Sequence, residues 1–410
     1  MGVMSADERL ASDVARRRLL WPALGLAIAL NAAYGGLGGV LVPAQVALVD
    51  AGTKEVNLAI VMTTASLVTI VVSPLAGAAS DGTRSRWGRR APWIVTASVV
   101  AVPAALALGS ARSVLALTIG WVLTQAALNV VQSPFEAAVA DRVLPSERGR
   151  AGSILGVGVS LGLALGVVLA GQLVSFPLAT GALLTSAVAV AAAVLVRRNP
   201  EIANAGSGLT SGLPTMTWPR RAPDFTRVFV GRFMLVLGNQ LVSGYLLFIL
   251  MDHLGLSREG AAATAGLVVT IHTGCIAVAA AVAGRFTDSS RRRKPFVVVA
   301  SIVVACALLL PWLLPTVPAV LCYAVVAGLG RGTYLAVDTA LMIDVLPQRR
   351  HTGRDLAILG LAQVVPQALT PLVAVGLLTL SHGDYGVLFA AALGLVLVSI
   401  VPVMRINSVR

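Results

Sequence analysis

Long apolar runs alternate with short polar segments along nearly the whole chain. Each run approaches or exceeds the roughly 20 residues that an α-helix, rising about 1.5 Å per residue, needs to cross the hydrocarbon core of a bilayer. The pattern predicts twelve membrane-spanning helices, which we number in chain order as spans 1 to 12. Their predicted bounds are 21–49, 56–78, 93–111, 114–140, 151–173, 177–196, 226–251, 260–283, 296–314, 317–343, 356–378 and 384–404.

A polar stretch at 197–225, rich in proline, glycine and serine, separates two sets of six spans. That composition is typical of a linker and is too polar to cross a membrane. We predict a cytoplasmic N-terminal segment at 1–20, a six-helix bundle at 21–196, the cytoplasmic linker at 197–225, a second six-helix bundle at 226–404 and a cytoplasmic tail at 405–410. The loop pattern at 77–90 returns at 284–294, which indicates that the second bundle is a duplicate of the first.

The composition excludes soluble classes of protein. The chain is 57% hydrophobic and only 12% charged, whereas a soluble domain carries about 25% charged residues. In a soluble chain, the net charge of +13 would indicate a nucleic-acid partner. Here 26 of the 31 Lys and Arg residues lie in, or at the edge of, segments that are cytoplasmic if the N-terminus is inside, and three lie in the outer loops. This distribution predicts a multi-pass plasma-membrane protein with both termini in the cytoplasm and no nucleic-acid partner.

Several kinds of chemistry are not expected from this sequence. Cys275, Cys306 and Cys322 lie inside apolar runs, where neither a disulfide nor a metal site is expected. The sequence carries no Gly-x4-Gly-Lys-Ser/Thr loop for a nucleotide and no grouping of residues typical of a catalytic site. We therefore expect no enzyme activity, no cofactor, no metal and no bound nucleotide.

Two loops and the spans beside them resemble a known family. The segment GAASDGTRSRWGRRAPWI at 77–94 resembles the signature loop of the major facilitator superfamily. Its extended spacing is similar to that of the glycoside–pentoside–hexuronide:cation symporters and their plant sucrose-transporter relatives. The segment NVVQSPFEAAVADRVLPSERGRAG at 129–152 and the run YLAVDTALMIDVLP at 334–347 are similar to regions of the same relatives.

The resemblance implies an all-α fold of twelve transmembrane helices in two pseudo-symmetric six-helix bundles, with spans 1, 4, 7 and 10 lining a central cavity. A monomer in the lipid bilayer would carry its solute by alternating access. The expected function is symport of a small polar solute, a sugar or glycoside first, driven by protons or another cation. The alternative is a proton-coupled exporter of a drug or secondary metabolite. That alternative is weakened at 166–171, where the glycine–proline signature of drug:proton antiporters lacks its proline.

The repeated loops contain candidates for a gate. A carboxylate at the end of a span accepts charge-assisted hydrogen bonds from nearby arginines, and such contacts would close the inner face and break when it opens. The alternative is that the arginines only fix the orientation in the membrane. The gating candidates are Asp81, Arg84, Arg89, Arg90, Asp141, Arg148, Asp288, Arg292 and Asp344.

Four charged residues lie inside predicted spans and away from the span ends: Glu136, Arg232, Arg331 and Asp338. A charge in the bilayer core is costly unless it faces a cavity or a partner, so each is a candidate for coupling, ion pairing or substrate binding. Asp338 is expected either to carry a coupling proton or to form a structural ion pair. Arg331 is expected to bind an anionic or polyhydroxylated solute, or to pair with a carboxylate on another helix.

The other candidates for coupling also have two interpretations each. Glu136 is expected at the inner gate or in an ion pair, ahead of direct contact with the solute. Arg232 lies near the end of its span, where snorkelling to the interface is the alternative. His272 is alone in span 8, so a hydrogen bond between helices competes with a role as a proton relay.

Span 4 carries a polar stripe. Gln125, Asn129, Gln132 and Glu136 stand at i, i+4, i+7 and i+11, and therefore on one helix face. These side chains either bind a hydroxylated solute or hydrogen-bond to neighbouring helices, which is worth ~0.6 kcal/mol per contact on average. The candidates for substrate binding are Asn31, Tyr34, Gln125, Asn129, Gln132, Asn239, Gln240, Arg331, Tyr334, Gln363 and Gln367.

Glycines in spans 1 and 5 predict close helix contacts. Gly158, Gly162 and Gly166 recur at every fourth position, which is the spacing of a close-packing ridge. Span 1 holds Gly-Gly pairs at 35–36 and 38–39, and these permit a bend or a close approach of another helix.

Overall fold

The computed structural model describes residues 6–143, 148–199, 223–290, 294–344 and 352–406. Side chains are described from residue 19 onward, except at 148–150, 284–290, 339–340, 342–344 and 352–357. All regular secondary structure in these ranges is helical. The helices are α1 (Ala6–Ala33), α2 (Val42–Val49), α3 (Lys54–Gly82), α4 (Ala91–Gly109), α5 (Val114–Arg142), α6 (Arg148–Gln172), α7 (Pro177–Arg198), α8 (Pro223–Ser243), α9 (Leu246–Phe248), α10 (Arg258–Ser290), α11 (Lys294–Leu313), α12 (Val317–Asp344), α13 (Thr352–Leu380) and α14 (Gly386–Met404).

The described helices agree with the predicted number of spans. Eleven helical stretches among the described residues are long and apolar enough to cross a membrane. A twelfth is obtained if Pro223–Ser243 and Leu246–His253 form one span, with a bend of 41° between them. The predicted all-α fold is confirmed.

Span 7 differs from the sequence prediction because it is broken rather than continuous. The break follows Ser243, whose hydroxyl donates to the backbone carbonyl of Asn239 at 2.9 Å. Side-chain bonds of this kind bend helices, and the next residue is Gly244, which adds backbone freedom. Beyond the break, α9 continues into a π-helical segment at Ile249–His253.

Span 1 contains a π-helical segment, Tyr34–Leu41, between α1 and α2. Its glycines let the backbone of α6 approach closely. A Cβ added at Gly36 would lie 2.6 Å from the carbonyl oxygen of Gly166, and one at Gly35 would lie 2.9 Å from the carbonyl oxygen of Leu163. The wide turn therefore lies where only glycine fits.

The chain divides into two compact units. The first comprises Met1–Asp50 and Thr64–Thr210, and the second comprises Ala51–Thr63 and Ser211–Arg410. In the first unit α1 packs against α6 and α7, while α4 packs against α5 and α7. In the second unit α12 packs against α10 and α11, and α8 packs against α13 and α14. The beginning of α3 therefore belongs to the second unit and the rest of α3 to the first.

An apolar core in the second unit fixes the position of α12. Tyr334, Val337 and Leu341 of α12 pack there with Phe225 of α8 and Leu359 of α13. Elsewhere, large apolar side chains remain exposed on the spans, as expected for helix faces that contact lipid. The core therefore holds the part of α12 that carries Asp338.

Candidate functional site

Asn129, in the middle of the α5 stripe, bonds to α3. Its Nδ2 donates to the backbone carbonyl of Gln125 at 2.8 Å and to Thr69 Oγ1 at 3.4 Å. Its Oδ1 accepts from Ser73 Oγ at 3.0 Å. The side chain is buried, and both the nitrogen and the oxygen of its amide form hydrogen bonds within the first unit. Of the two interpretations of this residue, the geometry matches the helix-to-helix hydrogen bond.

Several buried polar atoms in the first unit have no such partners, and three of them belong to Tyr34, Trp121 and Gln125. Tyr34 Oη, Gln125 Oε1 and Trp121 Nε1 are buried and form no hydrogen bond with the described residues. A buried polar group without a partner costs about 1–3 kcal/mol, so a hydrogen-bonding partner from outside the described residues would stabilise these atoms. Trp121 was not among the candidates predicted from the sequence, although it lies one turn before Gln125 on the same helix face.

Glu136, at the end of the stripe, is exposed. Gln132 Nε2 donates to Glu136 Oε1 at 2.7 Å, one turn away on α5. Glu136 is also close enough for its charge to act on Tyr34. The C-terminal end of the stripe therefore presents an accessible carboxylate that is oriented by the Gln132 amide.

The remaining polar candidates are dispersed. Asn31 Nδ2 donates to the carbonyl of Ala27 in its own helix at 2.9 Å. In the second unit Asn239 is buried, Gln240 accepts from Ser243 Oγ at 2.9 Å, and Gln367 is exposed. Gln363 is half-buried one turn before Gln367 on α13.

The loop between α3 and α4 is organised by Arg90. Its Nη2 lies 3.0 Å from Asp81 Oδ1 at the end of α3 and 2.9 Å from Asp141 Oδ2 at the end of α5. Arg89 adds hydrogen bonds to the backbone carbonyl of Asp81. Gly88 adopts φ +92°, a left-handed conformation that glycine adopts without strain. One buried guanidinium thus joins two helix ends, whereas Arg84 is exposed.

The other gating candidates cannot be located in the same way. The side chains of Arg148, Asp288 and Asp344, and the whole of Arg292, lie outside the described residues. The arrangement in the first unit therefore has no described counterpart in the second.

We expect Arg90→Ala to lower the free energy of unfolding by about 2 kcal/mol, because charge-assisted hydrogen bonds to two carboxylates are lost. Thermal unfolding of the purified protein would measure the change. Arg84→Ala is the matched control, since its exposed side chain forms no ion pair with the described residues. Equal effects of the two substitutions would show that the bridge contributes nothing to stability.

An ion pair joins α8 and α12 in the second unit. Arg232 Nη1 lies 2.7 Å from Asp338 Oδ2, and the two side chains are only 13% and 4% exposed. The Tyr334 side chain, one turn before Asp338, also hydrogen-bonds to this carboxylate. Arg232 and Asp338 thus form an ion pair between helices, and a coupling role for Asp338 stays a prediction.

Arg331 lies two turns before Asp338 on α12 and differs from Arg232. Its guanidinium is within electrostatic reach of Tyr323, Tyr334 and Asp338, and also of Arg232, which has the same sign. It forms no hydrogen bond or ion pair with the described residues, and it remains partly exposed. Gly332, the next residue in the chain, faces α10 so closely that a Cβ there would lie 2.8 Å from the Cβ of Ala279.

His272 of α10 binds to α12. Its Nδ1 lies 3.2 Å from the carbonyl oxygen of Ala324, to which Nδ1–H donates. The imidazole ring stacks on Tyr323, with 6.4 Å between ring centroids. This geometry matches the helix-to-helix interpretation of His272.

A polar cluster that was not predicted from the sequence lies in the second unit, at the beginning of α3. Lys54 Nζ lies 2.6 Å from Asp252 Oδ1, and Tyr385 Oη lies 2.8 Å from Glu55 Oε1 and 2.8 Å from Asp252 Oδ2. Burial, the hydrogen bond to Glu55 and the two negative charges raise the pKa of Tyr385 well above its ordinary value, so the phenol remains a neutral donor. Lys54 is one of the three basic residues predicted in the outer loops, and its partners are far away in the chain.

Comparisons with known proteins agree with this architecture. The family model described as Major Facilitator Superfamily matches residues 17–222 and 228–408. The chain belongs to the major facilitator superfamily. Like other members of this superfamily, it is a secondary transporter that moves small solutes across a lipid membrane. The branch within the superfamily remains a prediction.

Solved structures with the same fold cover almost the entire chain. A POT family transporter in complex with a thioalcohol-conjugated peptide has a TM-score of 0.71 at 12% identity, covering 95% of this chain and 96% of that chain. A bacterial homolog of the human lysosomal transporter Spinster has TM-scores of 0.65 in its inward-facing occupied form, at 14% identity, and 0.63 in its inward-facing unoccupied form, at 13% identity. Both forms cover 95% of this major facilitator and 94% of their own length. No curated protein sequence matches the chain.

Proposed function

We propose that this major facilitator is a proton-coupled symporter of a small polar solute. A sugar or glycoside is the first candidate for that solute. It would lie in the plasma membrane with both termini in the cytoplasm and work as a monomer by alternating access between two bundles. The observation that carries the proposal is the buried ion pair between Arg232 and Asp338.

This ion pair has the properties that a coupling site needs. Asp338 is a span-interior carboxylate that is held by one arginine and one tyrosine on two different helices. A proton on Asp338 would remove its attraction for Arg232 and leave α8 and α12 free to move apart. Charged residues with this placement in a membrane typically belong to ion or proton pathways.

Buried hydrogen-bonding groups support a polar solute. Tyr34 Oη, Gln125 Oε1 and Trp121 Nε1 supply both donors and acceptors in the first unit. A hydroxylated solute would satisfy these groups, whereas an apolar solute would leave them desolvated and unpaired. This favours a sugar-like solute over a greasy one.

The proposal is tested by following external pH in a lightly buffered suspension of de-energised cells, after pulses of a panel of sugars and glycosides. Alkalinisation with one of them is expected for the wild type. In Asp338→Asn the alkalinisation is expected to fall to the level of cells without the protein. The amide keeps the shape of the carboxyl group, but it cannot take up and release a proton. Glu136→Gln tests the second carboxylate in the same assay.

Proton-linked flux that survives in both variants would eliminate both carboxylates as coupling sites. Silence across the entire panel in the wild type would contradict proton-coupled sugar uptake. The next measurement would then be drug tolerance of cells that express the protein, since export of a drug or secondary metabolite is the alternative function.

A further inference from the structure

We propose that Arg331 binds the negatively charged group of the solute, so that the transported substrate is a small organic monoanion. This inference deepens the proposed function and rests on it, because it assigns a charge to the polar solute.

The charges inside the second unit do not balance. Arg232 and Arg331 are both in spans, and Asp338 is committed to Arg232 at 2.7 Å. The other described carboxylates of this unit lie in the first turns of helices, in the π-helical segment or in turns, and most have their own cations. They are Glu55, Asp224, Asp252, Glu259 and Asp384. One positive charge on α12 is therefore left over among the described residues.

The surroundings of Arg331 stabilise its position but do not neutralise it. Tyr323 and Tyr334 contribute phenol groups, which are uncharged at neutral pH. His272 turns Nδ1 to a backbone carbonyl and its ring to Tyr323. An unpaired charge in a span is costly, so a ligand that brings a negative charge to Arg331 would be bound favourably.

The chemistry of the guanidinium specifies the ligand. Its planar fork matches a carboxylate in a bidentate arrangement, which a hydroxyl group cannot reproduce. A monoanion brings the net charge of Arg232, Asp338 and Arg331 to zero, whereas a dianion would leave an excess of negative charge. Arg331 is partly exposed, so that such a ligand could reach it. A small carboxylate that also carries hydroxyl groups fits this subsite best.

The test uses the purified full-length protein in detergent and sodium acetate as a minimal monocarboxylate probe. Thermal unfolding is followed as acetate is increased, with ionic strength held constant by a bulky sulfonate salt. We expect acetate to raise the unfolding temperature of the wild type, because a ligand that binds the folded state stabilises it by mass action. Arg331→Met is expected to show a smaller response or none.

The variants without acetate supply a second measurement. Arg331→Met is expected to unfold at the same temperature as the wild type or above it, because an uncompensated charge has been replaced by an apolar side chain of similar length. Arg232→Met provides the comparison for a paired arginine and is expected to unfold at a lower temperature.

An acetate response in the wild type that is no larger than that of Arg331→Met overturns the proposal. So does an Arg331→Met protein that is as unstable as Arg232→Met, because Arg331 would then be paired within the protein. These readouts do not require transport. If acetate binds at Arg331 while proton-linked flux survives in Asp338→Asn and Glu136→Gln, the coupling proposal fails and the anion site stands.

Discussion

Arg232→Met is expected to lower the free energy of unfolding by about 3–5 kcal/mol, because it leaves the buried Asp338 carboxylate without its cation. The pair joins α8 and α12 over 2.7 Å with side chains that are almost inaccessible. Removal of one partner from such a pair costs far more than the pair contributes in total, since the desolvated charge that remains has no replacement for its lost partner. Reversible unfolding of the purified protein in a denaturing detergent would measure the difference.

The chain offers a matched control for this prediction. Arg227 pairs with Asp224 over 2.6 Å at the beginning of the same helix, but the two side chains are 30% and 16% exposed. We expect Arg227→Met to cost about 1 kcal/mol or less, as for other exposed pairs. If the two arginine variants lose the same stability, burial of the Arg232–Asp338 pair has no consequence.

A double variant separates the cost of an orphaned charge from the value of the pair. Arg232→Met combined with Asp338→Leu replaces both charges with apolar side chains and is expected to regain most of the stability lost in Arg232→Met. Transport should nevertheless remain absent in the double variant. Stability and coupling would then be shown to depend on Asp338 in different ways.

The two span arginines of the second unit divide these roles between them. Arg232 has a carboxylate on a neighbouring helix, so its removal is expected to destabilise the fold. Arg331 has none among the described residues, so its removal is expected to leave the fold intact and to affect the ligand. Both residues are arginines inside predicted spans, and the positions of their partners distinguish them.

The fold was predictable from the sequence because membrane spans are determined by local composition. Apolar runs of sufficient length, separated by basic loops, specify the helices without knowledge of their packing. The break after Ser243 and the π-helical segment at Tyr34–Leu41 are different, since they depend on a hydrogen bond and on the approach of α6. Neither changes the apolar pattern from which the spans were predicted.

The candidate site was predictable only as a set of residue types. The stripe on span 4 indicates that polar side chains share a face, but not that Asn129 bonds to Ser73 while Gln125 Oε1 has no partner. The Arg232–Asp338 pair joins positions 106 residues apart. Lys54, Asp252 and Tyr385 lie farther apart still, at helix ends where a charge needs no special explanation. Partners of this kind are decided by packing between helices, which a single sequence does not record.

The glycine ridge of α6 packs closely against α1; its spacing predicted a close helix contact but not which helix makes it. A Cβ added at Gly158 would lie 3.1 Å from the Cβ of Ala27, and one at Gly162 would lie 2.9 Å from the Cβ of Asn31. At Gly166 the added atom would lie 2.6 Å from the carbonyl carbon of Ala32, with the Cα and carbonyl oxygen of Ala32 closer still. The contact at Gly166 is therefore the tightest of the three, and the obstructing atoms belong to the backbone.

Gly166→Ala is expected to destabilise the first unit by about 3 kcal/mol or more and to reduce the yield of folded protein sharply. A side chain could move out of the way, but the backbone of Ala32 cannot move without separating α1 from α6. Gly156→Ala, two to three turns earlier on the same helix, is the control, because an added Cβ there meets nothing within 4 Å. It should leave stability unchanged or raise it slightly, since alanine favours a helix over glycine by about 1 kcal/mol. Size-exclusion profiles and thermal unfolding of both variants would test this prediction. Similar behaviour of the two variants would mean that α1 and α6 can separate at little cost. Loss of folded protein in Gly166→Ala alone would show that helix contact through glycine holds the first unit together.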